Sequence, residues 1–133
     1  MIANRTPERA EQLAEHFAAS GPVHALGTPG AALPPRASGF DVIVNATAAS
    51  SAGELPEVPA HAVGEGTLAY DMAYAQVETT FLQWARKAGA SRMANGLGML
   101  VEQAAESFLL WRGVRPDTAP VLAALRGAPR STP

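Results

Sequence analysis

With 133 residues and 13.8 kDa, the chain has room for one domain with a core and not for two ordinary ones. Its 47% hydrophobic and 17% charged residues exclude disorder, and no apolar run approaches the roughly 20 residues that a membrane helix needs. Ten basic against twelve acidic side chains give a net charge of -2, and there is no cysteine. These values argue against nucleic acid and anionic membranes as partners, and they exclude disulfides, thiolate zinc sites and cysteine nucleophiles. His16, His24 and His61 lack metal-ligand spacing, and no secretory leader pattern opens the chain, so a cytoplasmic protein is expected.

The opening, Met1 to Thr6, reads as the end of a strand running into a helix, with Thr6 as cap and Pro7 at the first helical position. Ala10, Leu13, Ala14 and Phe17 keep a helical period until Gly21-Pro22 stops it, and a short strand, Val23 to Leu26, can follow. Residues 27–39 read as a surface connection. The run from Asp41 to Thr47 has the pattern of a parallel strand buried on both faces. Residues 48–66 form a second loop region, and Thr67 to Met72 is the next strand.

A helix is predicted from about Thr80 to Ala88, with a Thr79/Thr80 cap, Gln83 in capping-box position and Gly89 at its end. A strand around Ser91 to Ala94 leads to the strongest helix, about Leu97 to Arg112. Asn95 is its expected cap, Gly113 its stop, and Leu97, Leu100, Val101, Ala104, Phe108 and Trp111 its buried stripe. A last helix, about Thr118 to Arg126, ends at Gly127, and Ala128 to Pro133 form a tail. Strands alternating with helices and long loops argue for an α/β fold with a parallel sheet, whose ligands bind beyond the carboxyl ends of the strands.

Three strand ends therefore carry the candidate chemistry. At Asn4-Arg5-Thr6, Asn and Arg stand where a dinucleotide-binding fold that takes NAD has an acid for the ribose 2′-hydroxyl. Arg5 and Arg9 either converge on a 2′-phosphate at the helix N-terminus or are solvated arginines on a surface helix. At Asn45-Ala46-Thr47, small polar residues either touch a nucleotide or satisfy their own turn. At Tyr70 to Tyr74, Met72 and the Tyr74 phenol stand at a strand lip, as ligand contacts or as packing.

Gly96 and Gly98 open a helix where a better helix former would add about 1 kcal/mol each, which suggests close approach to the backbone. Met99 and Gln103, at i and i+4, share a helix face distinct from the apolar stripe, so Gln103 either faces the site or is an ordinary exposed residue. No triad, paired carboxylates or metal cluster is apparent, and no residue is assigned as catalytic.

Taken together, Asn4-Arg5-Thr6 with Arg9-Ala10, DVIVNAT at 41–47, GELP at 53–56, Tyr70-Asp71-Met72 with Tyr74, NGLGMLVEQ at 95–103 and FLLWRG at 108–113 resemble the C-terminal, NADP-binding half of the shikimate dehydrogenases, in the family's order. The resemblance implies a partial Rossmann-like, doubly wound parallel sheet over residues 1–127, with C-terminal helices. It implies NADP as cofactor and NADPH-dependent reduction of 3-dehydroshikimate to shikimate, in aromatic amino-acid biosynthesis by way of chorismate.

By the same resemblance Arg5, Thr6 and Arg9, with Asn4 beside them, hold the adenosine 2′-phosphate, and Thr47 lies along the cofactor. Met72 and Gly96 contact the nicotinamide end, Met99 lines the pocket, and Tyr74 and Gln103 reach the substrate. Ala48-Ala49 depart from the family's usual Ser-Ser after Thr47. The family's glycine-rich turn, first strand and helix, and Lys and Asp proton-transfer pair would lie before Met1. A chain lacking them is expected to be inactive alone, and to need the missing half or to self-associate through open sheet edges. The alternatives are a quinate/shikimate dehydrogenase fragment using NAD, and a non-catalytic nucleotide-binding or interaction module.

Overall fold

The computed structural model describes residues 1–26, 39–56, 58–74 and 78–127. Its elements run α1 (Pro7–His16), β1 (Val42–Asn45), β2 (Leu68–Asp71), α2 (Thr80–Lys87), β3 (Arg92–Asn95), α3 (Leu97–Arg112) and α4 (Ala119–Gly127), with short 3-10 turns at Ala18–Ser20, Ala49–Ala52 and Ala60–Ala62. The three strands are parallel in the order β1-β2-β3, with Val42 opposite Leu68 and Leu68 opposite Arg92. A second parallel contact joins Ile2 to Ala25, where the Ile2 N–H donates to the His24 carbonyl and the Leu26 N–H to that of Ile2. At the two places where strands are expected, the chain thus forms only this isolated bridge. The connection at 27–38 and the tail at 128–133 lie outside the described residues.

Strand alternation puts Thr67, Ala69 and Asp71 on one face of β2, and all three are 0% exposed. α2 covers this face with Phe81, Leu82 and Ala85. Ile43 and Met93 flank it from the neighbouring strands, and the Phe81 and Trp84 rings lie 5.7 Å apart. The opposite face is open: Val42 and Val44 are 52% and 54% exposed, and Arg92 and Ala94 are exposed beside them. This corrects the expectation that the 41–47 run is buried on both faces. A β-branched run records compatibility with burial, and here the described elements supply a cover on one side only.

Helix caps differ in detail from the sequence signals. Thr6 occupies the N-cap of α1 without a side-chain bond, and its own N–H donates to Asn4 Oδ1 at 2.9 Å. Thr79 caps α2 by accepting from the Leu82 N–H. Gln83 donates to the Glu78 carbonyl, so the expected capping box does not form. Gly96, not Asn95, is the N-cap of α3, although Asn95 Oδ1 still accepts from the Leu97 N–H one residue further on. Gly113 ends α3 in the left-handed region, φ 72°, as its stop signal predicts.

The α3 stripe is a further correction. Only Val101 and Ala105 are buried, while Phe108 is 46% and Trp111 79% exposed. Leu100, Val101, Ala104 and Phe108 instead form one wall of an apolar groove of about 300 Å³, with Val121 and Leu125 of α4 opposite. α4 is clasped to α3 by Arg115, which binds Glu102 and Glu106 at 2.7 Å each, and by Thr118 donating to Glu102. The Thr118 hydroxyl, then Arg115, hold the Glu102 carboxyl below its usual range.

At the other end of the sheet, buried Thr67 accepts from the Gly64 N–H at 2.8 Å and donates to the Phe40 carbonyl at 2.5 Å, joining the lead-ins of β1 and β2. Thr67→Val keeps the shape and leaves both groups without this partner, so a loss of about 1–3 kcal/mol is expected in urea unfolding, with Thr67→Ser largely retaining stability. Equal stability of the Val and Ser variants would show that the hydroxyl contributes nothing.

Candidate functional site

The carboxyl ends of the three strands are bound to one another through backbone and buried side chains. The Met72 N–H donates to the Asn45 carbonyl at 2.9 Å, and the Gly96 N–H to the Ala73 carbonyl at 3.0 Å. The turn after β2 is thereby fixed to β1 on one side and to the start of α3 on the other. Beneath it, Asp71 Oδ1 accepts from Asn45 Nδ2 at 3.2 Å and from the Ala73 N–H at 3.1 Å, and Asp71 Oδ2 accepts from the Thr79 hydroxyl at 2.5 Å. Asn45 Oδ1 accepts from both the Thr47 N–H, at 3.1 Å, and the Thr47 hydroxyl, at 2.8 Å. Asn45 is 3%, Asp71 0% and Thr79 8% exposed.

Thr47, Met72 and Gly96, expected from the sequence to serve one site, thus stand at adjacent strand ends. Met72 is 39% and Tyr74 59% exposed, and on α3 Met99 is 39% exposed with Gln103 exposed as well. These side chains are open to a ligand rather than buried as packing. Asn4, Arg5, Thr6 and Arg9 belong to the other parallel pair, at the start of α1. Arg5 and Arg9 are exposed there, and neither forms an ion pair among the described residues. No hydrogen bond among the described residues joins this segment to the strand-end cluster.

Asp71, marked by the sequence only as part of a strand-end motif, and Thr79, expected only as a helix cap, organise the cluster. Their one signal was position, an acid at a strand end and a threonine at a helix start. Among the described residues no group of three His, Cys, Asp or Glu side chains could hold a metal ion, and no helix is long and apolar enough to cross a membrane.

The two glycines of α3 have different reasons. A Cβ on Gly96 would lie 2.0 Å from the Met72 carbonyl oxygen, so what approaches this backbone is the neighbouring turn. Nothing lies within 4 Å of a Cβ on Gly98, so the close approach expected there has no counterpart among the described residues. Gly96→Ala is expected to force the Met72 turn outward at about 1–3 kcal/mol, whereas Gly98→Ala raises stability by up to about 1 kcal/mol. Thermal unfolding of the two variants checks this, and a neutral Gly96→Ala would refute the contact.

Residues 96–126 match the family described as Shikimate 5'-dehydrogenase C-terminal domain. The chain is 53% identical over 126 residues to the shikimate dehydrogenase (NADP(+)) of Alkalilimnicola ehrlichii, covering 95% of this chain and 45% of that protein. It is 51% identical over 131 residues to that of Methylococcus capsulatus, covering 98% and 46%.

Among solved structures, the Ael1 enzyme from Pseudomonas putida superimposes with a TM-score of 0.75 at 43% identity, over 93% of this chain and 44% of that one. The shikimate 5-dehydrogenase of Thermus thermophilus, solved with NADP(H) and shikimate, gives 0.70 at 32% identity, over 93% and 44%. The chain therefore spans a little under half the length of the curated relatives it matches. Over nearly its whole length the chain is thus similar, in sequence and in fold, to the C-terminal part of the shikimate dehydrogenases.

Proposed function

We propose that the chain is the NADP-binding portion of an enzyme that interconverts 3-dehydroshikimate and shikimate. The observation that carries this reading is the alignment of Thr47, Met72 and Gly96 along the carboxyl edge of a parallel sheet, which is where open α/β sheets bind ligands. The relatives' names and the ligands of the Thermus structure supply the chemistry: bound NADPH delivers a hydride to a carbonyl carbon.

The residues fit a phosphorylated dinucleotide. Arg5 and Arg9 are exposed at the start of α1 with no acidic partner among the described residues, and Asn4 is turned inward on Thr6, where an acid would serve a 2′-hydroxyl. Arg5, Thr6 and Arg9 hold the 2′-phosphate with Asn4 shaping their turn. Thr47 lies along the cofactor, Met72 and Gly96 border its nicotinamide and Met99 lines the pocket. Tyr74 and Gln103 orient the substrate.

Reduction of a carbonyl also needs a proton donor and a wall opposite the nicotinamide. None of the residues assigned to the site is a proton donor to the reacting oxygen. The 133 residues on their own are expected to bind NADP without turning over 3-dehydroshikimate, and to act only when completed by a substrate-binding half. The protein works in the cytoplasm.

Isothermal titration of the chain with NADP and NAD tests the reading. NADP binds more tightly, and Arg5→Ala or Arg9→Ala weakens NADP by about tenfold or more, the scale of one charged hydrogen bond, while leaving NAD unchanged. Equal affinity for the two nucleotides would remove the arginine argument.

The open sheet also calls for a cover. Val42 and Val44 on β1, and Leu110 and Trp111 at 84% and 79% exposure on α3, leave apolar area that water disfavours. The chain alone is therefore expected to self-associate as concentration rises, and Val42→Thr with Val44→Thr to reduce this. Sedimentation velocity reads the outcome, and a monomer across all concentrations would count against the open face as a driver.

A further inference from the structure

From the hydrogen bonds beneath the strand ends, we infer that Asp71 is a positioning residue that sets which way the Thr47 hydroxyl points, so that Thr47 meets a ligand as an acceptor only. The inference rests on the cofactor reading of this edge and adds the chemical class of the ligand group at Thr47.

The directions of these bonds can be followed. A carboxylate offers acceptors alone, and Asp71 takes donors from three segments: Asn45 Nδ2 on β1, the Ala73 N–H after β2, and the Thr79 hydroxyl at the cap of α2. Because Asn45 must turn its Nδ2 to Asp71, its Oδ1 faces the turn that follows β1. There it accepts from the Thr47 N–H and from the Thr47 hydroxyl at 2.8 Å. The single hydroxyl proton of Thr47 is thereby committed inward, and one of its lone pairs accepts from the Ala49 N–H at 3.2 Å.

What remains for a ligand is acceptor capacity and the γ-methyl. A phosphate oxygen, itself only an acceptor, gains no hydrogen bond there. A ribose hydroxyl or a carboxamide N–H does.

Loss of the carboxylate at position 71 would undo the arrangement. Asn45 Nδ2 and the Ala73 N–H share Asp71 Oδ1, so an amide oxygen in that place would still serve both, and only removal of the side chain takes the acceptor away. In Asp71→Ala the Asn45 Nδ2 loses this acceptor, the Asn45 amide turns over and the Thr47 proton is released outward.

The test uses the full chain, 15N-labelled, as wild type, Asp71→Ala, and the exchanged pair Asn45→Asp with Asp71→Asn. The exchanged pair restores a bond between the two positions with its donor reversed, and it carries the comparison should Asp71→Ala fail to fold. Expected in Asp71→Ala are displaced amide signals of Thr47 and Ala73 with that of Ala85 in the core unmoved, and NADP affinity lower by about tenfold, the scale of one hydrogen bond lost. In the exchanged pair the carboxylate at position 45 accepts from the amide at position 71 and still from Thr47, so the Thr47 signal and NADP affinity return towards wild type while the Ala73 signal stays displaced.

An unmoved Thr47 signal in Asp71→Ala, or a folded exchanged pair whose NADP affinity stays as low as that of Asp71→Ala, would overturn the inference. Failure of the wild-type chain to bind NADP would instead sink the cofactor reading, and the Thr47 and Ala73 signals would still decide whether Asp71 positions them.

Discussion

Everything in this chain hangs on one face of the middle strand. Thr67, Ala69 and Asp71 are each fully buried, and each performs a different task at its height in the sheet. Thr67 joins the two lead-ins at the amino end. Ala69 is small enough for α2 to lie close, with Phe81 and Leu82 over it. Asp71 gathers donors from three segments at the carboxyl end. Burying a hydroxyl and a carboxyl is unfavourable unless their hydrogen bonds are made, so these two residues tolerate only the backbone arrangement that supplies their partners. The apolar middle holds the layers together, and the polar ends fix their register and their turns.

Much of this was legible in the sequence because it is local. The strand at 68–71, the helix from Leu97 to Arg112 and its stop at Gly113 depend on period and on glycine, which neighbouring residues display. The candidate residues Thr47, Met72 and Gly96 were found because a parallel sheet brings strand ends together whatever their separation in sequence.

The failures share a cause: each turned on a partner that period and spacing do not display. Val42 and Val44 read as core, yet whether a valine is covered depends on an element elsewhere. The Gln83 side chain found the Glu78 carbonyl rather than the cap its spacing suggested. Gly96 and Gly98 look alike in sequence, and only the fold shows that the Met72 carbonyl occupies the space at one of them. The role of Asp71 was hidden for the same reason, since donors to it come from positions 45, 73 and 79.

The candidate site divides into two parts that differ physically. At the start of α1, Arg5 and Arg9 are long, exposed and held by nothing among the described residues, so any recognition of a phosphate there is electrostatic and tolerant of small displacements. At the strand ends, Thr47, Met72 and Gly96 are set by backbone bonds, a buried polar chain and a carbonyl that would lie 2.0 Å from an added methyl. Hydride transfer demands the second kind of precision, because an error of an ångström between the reacting atoms is costly, whereas an anchoring phosphate does not. On the proposed function, the rigid part is the one assigned to the chemistry, and the adaptable part the one assigned to the far end of the nucleotide.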